Sequence, residues 1–289
     1  MTVAGRNALI ARTGMLGFHL AILGVIWTGV SRIALVVAGT LYVVRAFGIT
    51  AGYHRLLAHG AYKTNRIVQF VLTLQGSLAT QGAPLWWVSH HRNHHRYTET
   101  SRDIHSPMRN GFWYAHIGWM MDKACFEGTA SNVKDLLRYP EITALQRYYP
   151  AVLLLQAIAI YILGAWLGRA YPTLGTSGPQ MLVWGLFIST VALWHATFMV
   201  NSVCHLWGNQ QYNTGDHSTN NWFVATLTLG EGWHNNHHRF SASARQGLRW
   251  WQLDCTYLAL RLMEKLRLVR AMKLPSDTQM VAGLIKNRV

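Results

Sequence analysis

Four long apolar stretches restrict the fold of this chain more than any other feature. They cover residues 13–30, 33–51, 151–170 and 180–206. A helix of about 20 apolar residues is long enough to cross a bilayer. Hydrophobic residues make up 51% of the chain and charged residues only 13%, which is too apolar for an ordinary soluble domain. The sequence therefore predicts an all-α integral membrane protein with four transmembrane helices.

Short links join these helices in two pairs. Only Ser31 and Arg32 separate the first two stretches, and residues 169–179 link the last two, so we expect two helical hairpins. A fifth stretch, residues 67–83, is less apolar because it carries polar side chains, among them Thr73, Gln75, Ser77, Thr80 and Gln81. We interpret this stretch as a helix that is either shallow in the membrane or buried in protein.

The basic residues predict the orientation. Residues 55–147 hold eleven Lys and Arg side chains and residues 239–288 hold ten, whereas each hairpin link holds one. Because basic residues accumulate on the cytoplasmic side, we expect both termini there, together with a helical cap formed by residues 54–147 and 207–289. Arg45, inside the second stretch, is expected to snorkel to its cytoplasmic end. The net charge of +15 would meet anionic lipid headgroups and could also attract an acidic or phosphorylated partner.

Histidines are concentrated in three clusters. The clusters consist of His54 and His59, of His91, His94 and His95, and of His234, His237 and His238. Neutral imidazole binds transition metals directly, and the i, i+3, i+4 spacing of the second and third clusters places their rings on one face of a helix. The predicted topology gathers all three clusters at the cytoplasmic membrane surface. With eight candidate ligands, we expect a site that holds two metal ions.

The first cluster does not fit a regular helix. His54 and His59 are five residues apart, which is about 140° around an α-helix. Their rings point together only if the helix ends or distorts between them; otherwise they serve different ions. Gly60 follows directly and suits a helix end.

A polar stripe on the fourth stretch adds to the candidate site. Thr197, Asn201 and His205 recur every four residues on an otherwise apolar helix, and polar groups inside a membrane usually face the protein interior. His205 lies level with the clusters and is a candidate ninth ligand. Asn201, one turn deeper, could hold a metal-bound water through its amide. The alternative for Asn201 is a hydrogen bond between helices.

Four carboxylates lie near the clusters in sequence: Glu99, Asp103, Asp216 and Glu231. Each could orient a ligand imidazole by accepting a hydrogen bond from its second ring nitrogen; the alternative is a solvated surface carboxylate. His105, close to Asp103, is also expected behind the ligands. His19 and His195 are expected to be satisfied interior groups, and His90 points about 100° away from His91.

The motifs around the histidines resemble those of a known family. H-R-L-L-A-H at 54–59, H-R-N-H-H at 91–95 and H-N-N-H-H at 234–238 are similar to the three histidine boxes of membrane fatty acyl desaturases. The match is closest to the stearoyl-CoA (Δ9) desaturase branch and its bacterial relatives. Histidine boxes also occur in alkane and carotenoid hydroxylases. What distinguishes this chain from them is its flanking motifs, N-S-V-C-H-L-W-G at 201–208 and G-E-G-W at 230–233. The resemblance extends from about residue 41 to 271.

The resemblance implies a single desaturase domain over residues 1–289, with four transmembrane helices under a cytoplasmic cap in the cell inner membrane. It implies two iron ions held by nine histidines, which are the eight box residues and His205, and a water-mediated contact from Asn201. The implied reaction is an O2-dependent desaturation of an acyl chain. Its two electrons would come from a separate donor of the ferredoxin, rubredoxin or cytochrome b5 type with a reductase, because no such signature is visible in this chain. No catalytic side chain beyond the metal ligands is expected.

Some positions depart from the family pattern. Animal acyl-CoA desaturases carry Arg-Asp before the second box, where this chain has Ser89 and His90, so the acyl carrier stays open between CoA, ACP and a lipid. Ile104 replaces the usual proline of a D-P-H sequence. The alternative activity is that of a related di-iron oxidase acting as a hydroxylase or forming a terminal alkene or alkyne. A non-enzymatic metal sensor is less consistent with the aromatic residues of the cap, which could line a substrate tunnel: Trp86, Trp87, Trp113, Tyr114 and Trp119.

Overall fold

Four long helices dominate the computed structural model of the chain, which describes residues 1–127 and 130–285. They cover Val3–Thr28, Arg32–Ala58, Tyr149–Ala170 and Gly178–His205, and each is long and apolar enough to cross a membrane. All four predicted stretches are therefore helical. The first helix begins ten residues earlier than predicted because the Thr2 side chain accepts a hydrogen bond from the Gly5 N–H and caps it.

Three of these four spans are not uniform α-helices. The first span is α-helical over Val3–Ala21 and Val25–Thr28, with a 3-10 turn at Ile22–Gly24. The second is α-helical over Arg32–Phe47 and continues as a π-helix over Gly48–Ala58. The fourth consists of Gly178–Met181, a π-helix at Leu182–Ile188, an α-helix at Ser189–Ser202 and a 3-10 turn at Val203–His205. Such π-helical segments are rare and are often found at functional sites.

Consecutive spans contact each other closely. Gly164 of the third span packs so near the fourth that a Cβ there would lie 2.4 Å from the Cβ of Met181. Gln180 at the start of the fourth span donates to the Thr28 carbonyl at 2.8 Å and accepts from Ser31 Oγ at 2.6 Å. The link between the first two spans therefore lies beside the link between the last two.

The prediction that Arg45 snorkels to the membrane surface is wrong. Its side chain is completely buried and donates to Thr190 Oγ1 at 3.0 Å and to the Gly185 carbonyl at 3.1 Å. Gly185 lies in the π-helical segment of the fourth span, Leu182–Ile188. The cation therefore ties the second span to the fourth.

The remaining helices lie between the second and third spans and on either side of the fourth. Before the third span, helices cover Arg66–Leu78, Pro84–Tyr97, Pro107–Asn110, Phe112–His116 and Pro140–Arg147, with 3-10 turns at Gly118–Met121, Lys123–Phe126 and Ala130–Leu136. A further 3-10 turn, Pro172–Leu174, precedes the fourth span, and helices after it cover Trp222–Leu227, His234–Arg239, Cys255–Lys265 and Asp277–Val281. Two short strands, Lys63–Thr64 and Val269–Arg270, pair antiparallel and join these two regions.

The fifth apolar stretch forms the helix Arg66–Leu78, shorter than predicted, and one of its faces is buried in protein. That face packs on the π-helical end of the second span: a Cβ at Gly48 would lie 2.2 Å from the Gly76 nitrogen. The opposite face is exposed, since Ile67 is 75% accessible. The expectation of burial in protein therefore holds for one face of this helix.

A core of apolar side chains holds the histidine-bearing segments together. Tyr53 and Leu57 from the second span, Leu72 from the fifth helix, Val88 and Leu260 belong to one buried cluster. Complete burial of such a side chain stabilises the fold by about 1.5–3 kcal/mol. The segments that carry the first two histidine clusters are therefore anchored in one rigid core.

Candidate metal centre

The π-helical end of the second span brings the first histidine pair together. A π-helix pairs residues i and i+5, and the His59 N–H donates to the His54 carbonyl at 3.1 Å. The two ring centroids are 4.9 Å apart. The helix is thus distorted between the two histidines, one of the conditions under which they were expected to point together. It ends at Ala58, and Gly60 adopts a left-handed φ of +55°.

The second cluster lies on the helix Pro84–Tyr97 and faces two ways. His91 Nε2 is 2.7 Å from His59 Nε2, and His95 Nε2 is 2.8 Å from His237 Nε2. His94 instead has its ring centroid 5.4 Å from that of His205. The i, i+3, i+4 spacing therefore distributes these rings between two neighbouring positions.

The third cluster divides in the same way. Its helix begins at His234 itself. His237 Nε2 lies 3.0 Å from His54 Nε2, whereas His234 Nε2 lies 3.1 Å from Nε2 of His205, the last residue of the fourth span. The His238 ring centroid is 4.3 Å from that of His234.

All nine histidines predicted as ligands fall into two groups, in each of which the possible ligand atoms lie within 4.8 Å of one another. The five-histidine group consists of His54, His59, His91, His95 and His237. The four-histidine group consists of His94, His205, His234 and His238. A spread of 4.8 Å is close to twice a metal–imidazole bond of about 2.0–2.1 Å, so each group has the dimensions of a site for one ion.

The hydrogen bonding of these rings also fits bound metal. His237 Nε2 lies within 3.0 Å of both His54 Nε2 and His95 Nε2, although a neutral imidazole carries only one N–H. Nε2 of His94 and of His238 is buried without a hydrogen-bond partner among the described residues. A cation between the nitrogens would satisfy them, and imidazole suits iron, copper and zinc alike.

Burial keeps the rings in the form that binds metal. Desolvation and neighbouring histidines hold the pKa of His91, His95, His234 and His237 well below the usual value. Burial also lowers the pKa of His238 to about 4. These rings are therefore neutral at physiological pH, and neutral imidazole is the form that coordinates a metal.

Each of the four predicted carboxylates lies against a histidine. A carboxylate only accepts hydrogen bonds when ionised, so Nδ1 of each ring is the donor. The pairs are His54 with Glu231, His94 with Asp103 at 3.2 Å, His205 with Glu99 at 3.4 Å, and His238 with Asp216 at 2.6 Å. This fixes Nε2 as the free nitrogen of those rings.

The paired histidines keep the carboxylates ionised. Burial by itself would raise the pKa of Glu231, but His54 and Arg55 bring it below the usual value. The pKa of Asp216 is likewise low, because hydrogen bonds from His238, Ser218 and Thr214 outweigh burial. Both acids therefore remain acceptors over the physiological range.

A buried arginine that the sequence did not single out holds one of these acids. Arg55 is fully buried, and its Nη2 lies 3.1 Å from Glu231 Oε1 and 3.0 Å from Asp254 Oδ1. Gln246 donates to the other Glu231 oxygen at 3.1 Å. The sequence signal that could have indicated this contact was an arginine between two histidines at the end of an apolar span. A buried cation there needs an acidic partner.

A second arginine, inside the second box, fixes the end of the first. Arg92 donates to the carbonyls of Leu57 and Ala58 at 2.7 and 3.0 Å, and it pairs with Asp135 at 2.7 Å. These bonds hold the last turn before His59. The two boxes are therefore joined by backbone contacts as well as through the histidines.

An aromatic cavity opens beside both groups. Its wall includes His54 and His91 of one group and His94 and His234 of the other, and its aromatic lining is Trp86, Trp87, Trp119 and Phe198. Thr197 and Asn201 also line it. Of the aromatic residues proposed for a tunnel, Trp113 and Tyr114 do not line this cavity: Trp113 is 73% exposed, and Tyr114 donates to Asp122 at 2.8 Å.

Most of the other histidines have partners outside the two groups. His19 and His195 are 3.1 Å apart, and His195 also bonds His116 at 3.0 Å, as expected of satisfied interior groups. His217 donates to Glu99 at 2.7 Å. His90 and His105 line the aromatic cavity, and His105 lies 3.6 Å from Asp103.

Comparison with known proteins points to one family. A model of the family described as fatty acid desaturase matches residues 31–268. The icosanoyl-CoA 5-desaturase of Limnanthes douglasii is 43% identical over 236 residues, which are 80% of this chain and 62% of that protein. The chloroplastic palmitoyl-monogalactosyldiacylglycerol delta-7 desaturase of Arabidopsis thaliana is 42% identical over 257 residues, 88% of this chain and 64% of that protein.

A relative of similar length supports the same grouping. The sn-1 stearoyl-lipid 9-desaturase of Anabaena variabilis is 38% identical over 267 residues, which are 91% of this chain and 93% of that protein. The chain thus spans less than two thirds of the two plant proteins and almost all of the Anabaena protein. The segment matched by the family model, residues 31–268, includes all three histidine boxes.

Proposed function

The chain belongs to the fatty acid desaturase family, and on that premise we propose that it is an O2-dependent fatty acyl desaturase with a di-iron centre. The observation that carries the proposal is the division of nine histidines, five buried and four partly buried, into two ion-sized groups beside an aromatic cavity. In this proposal the five-histidine group holds one iron ion and the four-histidine group the other. Asn201, on the cavity wall, contacts a metal through water.

The reaction has a fixed balance. One O2, two electrons and two protons are consumed with two hydrogens of adjacent methylenes, and the products are a double bond and two waters. When bound, the iron ions supply the oxidising power for an unactivated C–H bond, which no amino-acid side chain provides. The protein itself binds and orients the acyl chain.

The cavity wall is suited to that positioning. Trp86, Trp87 and Trp119 offer flat apolar surface to a methylene chain, and both histidine groups contribute rings to the same cavity. An acyl chain in this cavity would lie within reach of both ions. The buried neutral histidines and their ionised carboxylates hold the site in place.

We propose the topology and location predicted from the sequence. The four spans form two hairpins in a cell inner membrane, and both termini, the cap and the site face the cytoplasm. Three observations support this arrangement: the asymmetric basic residues, the close contact of the third and fourth spans, and the position of His54 and His205 at the ends of the second and fourth spans.

The acyl carrier is proposed to be CoA, ACP or a lipid. The three relatives described above include an acyl-CoA desaturase and two acyl-lipid desaturases, named for positions 5, 7 and 9, so the comparison does not select a position. In this chain Ser89 is buried and hydrogen-bonds Asn132 at 2.7 Å, and His90 faces the cavity. A charged pair for a CoA nucleotide is therefore absent from these two positions. We assign the chain to the Δ9-like bacterial branch on its box and flanking motifs.

Product analysis tests this proposal. The chain and its His94→Ala variant are expressed in the same host, and lipids and free acids are profiled by mass spectrometry. We expect the wild type alone to produce acyl chains two hydrogens lighter. A product that gains one oxygen would show that the enzyme is a hydroxylase instead. A terminal alkene or alkyne would show that it is the related oxidase acting at the chain end. Identical profiles in a host that supplies a suitable electron donor would contradict the proposal.

A further inference from the structure

A second cavity reaches the five-histidine group without touching the aromatic cavity. It is lined by Leu57, Ala58, His59 and Gly60 at the end of the first box, and by the exposed cations Lys63, Arg138 and Arg270. His59 is the one member of the two histidine groups on its wall, and no described residue lines both cavities. The five-histidine group therefore has two separate approaches.

The mouth of this cavity carries a net positive charge, because its wall has four cations, Lys63, Arg92, Arg138 and Arg270, and one acid, Asp135. Lys63 and Arg270 face each other across the two-stranded sheet, a like-charge arrangement that destabilises strand pairing. Within the described part of the chain, neither has a carboxylate at ion-pair distance, and Arg138 stacks on Tyr139. The acid on the wall, Asp135, is already paired with Arg92. The surface therefore favours an anionic partner.

We propose that this cavity is the docking site of an acidic electron-donor protein, whose electrons enter at the His59 edge of the five-histidine group. The inference rests on the proposed function, because each double bond requires two electrons from outside the chain. A one-electron donor, such as an acidic iron–sulfur protein, is oxidised once in each of two docking events. The two accompanying protons come from water.

The location of the two cavities favours a donor over an acyl carrier. In the proposed reaction the acyl chain lies beside both histidine groups, and of these two cavities the aromatic one contacts both groups. The phosphate groups of a carrier lie at the end of that chain and so belong at the mouth of the aromatic cavity. A donor must deliver electrons while the chain fills that cavity, which requires another approach.

The structure around His59 also suits electron entry. Arg92 bonds the Leu57 and Ala58 carbonyls, so the segment that carries His59 is held from within. His59 Nε2 is 2.7 Å from His91 Nε2, and the ring is neither fully buried nor remote from the second cavity. An electron arriving here reaches the group without crossing the substrate.

The test uses the iron-loaded full chain and an acidic [2Fe–2S] ferredoxin as the probe. The test variant is Lys63→Glu with Arg270→Glu. The matched control is Arg102→Glu with Arg109→Glu, which reverses two exposed cations that line neither cavity. Ferredoxin affinity, the rate of ferredoxin oxidation, and turnover with dithionite as a chemical reductant are measured at low and high salt.

We expect the test variant to bind ferredoxin and accept its electrons at least about tenfold more weakly at low salt, and the difference to shrink at high salt. Iron content and dithionite-driven turnover should equal the wild type. Wild-type ferredoxin binding in the test variant, or an equal loss in the control, would overturn the docking site. A raised KM for acyl-CoA under dithionite would assign the cavity to the carrier's phosphates instead. If the wild type desaturates nothing with either reductant, the proposed function fails, separately from the binding result.

Discussion

The two histidine groups differ in what would offset the free-energy cost of burying a metal cation: one has more rings and the other has more carboxylates. The five-histidine group has more rings, but within residues 1–127 and 130–285 only His54 donates to a carboxylate, that of Glu231. The four-histidine group has one ring fewer, and three of its rings are backed by an acid. A carboxylate behind a ligand raises its basicity and fixes its orientation. The comparison teaches that ligand number and anionic support can substitute for one another.

Removing one ring from each group should have the largest effect. We expect His94→Ala and His237→Ala each to lower bound iron from about two ions per chain to about one, and to reduce turnover by more than about 100-fold. Elemental analysis and product profiling measure the two effects, and membrane insertion should be unchanged. His19→Ala, outside both groups, is the control. Retained turnover in either ligand variant would refute the two-ion assignment.

The carboxylates should separate the groups by a smaller effect. Asp216→Asn keeps the shape behind His238 but removes the charge, so we expect metal affinity to fall about 10- to 100-fold in the four-histidine group alone. Glu231→Gln should weaken the five-histidine group alone, where four other rings remain. Titration of the apo protein with Fe2+ against a chelator resolves the two affinities. If either substitution lowered the metal affinity of both groups equally, the proposed difference between the groups would be wrong.

Much of this arrangement could be predicted from the sequence. The four spans were recognisable because long apolar runs have few other stable structures, and the nine histidines because box spacing and topology converge. The assignment of each ring to a group was not predictable. It depends on how the helices Pro84–Tyr97 and His234–Arg239 are rotated against each other, which their own spacing does not encode.

The errors have a common physical origin. Arg45 was expected at the membrane surface, but it is buried, and its two terminal nitrogens donate to Thr190 and to the Gly185 carbonyl of another span. The π-helix at Gly48–Ala58 was foreseen only as an unspecified distortion between His54 and His59, since an apolar composition does not distinguish one helical hydrogen-bond pattern from another. Both features depend on contacts between residues that are distant in sequence.

A substitution at Asn201 tests whether this side chain contributes to turnover without binding a metal directly. Asn201 lines the aromatic cavity with His54 and His94, so an amide-held water there would touch the reacting region without replacing a ligand. We expect Asn201→Ala to retain most of the iron and to lower turnover about tenfold, measured by elemental analysis and product profiling. Thr197→Val, one turn away on the same wall, is the matched control. Normal turnover in Asn201→Ala would make it a packing residue.

The smallest expected effect concerns the boundary of the four-histidine group. His94, Asp103 and His105 also lie close enough to form a separate metal cluster, which would remove His94 from the group. Against this, His94 Nδ1 is engaged by Asp103 at 3.2 Å, and its Nε2 is the buried nitrogen without a hydrogen-bond partner among the described residues. Asp103 also accepts a hydrogen bond from the Glu99 N–H at 2.8 Å. This contact fits a carboxylate that orients His94 better than one that binds a metal. We therefore expect His105→Ala to keep both ions and to change turnover less than about threefold. Loss of an ion in this variant, with His94 intact, would transfer His94 to the smaller cluster.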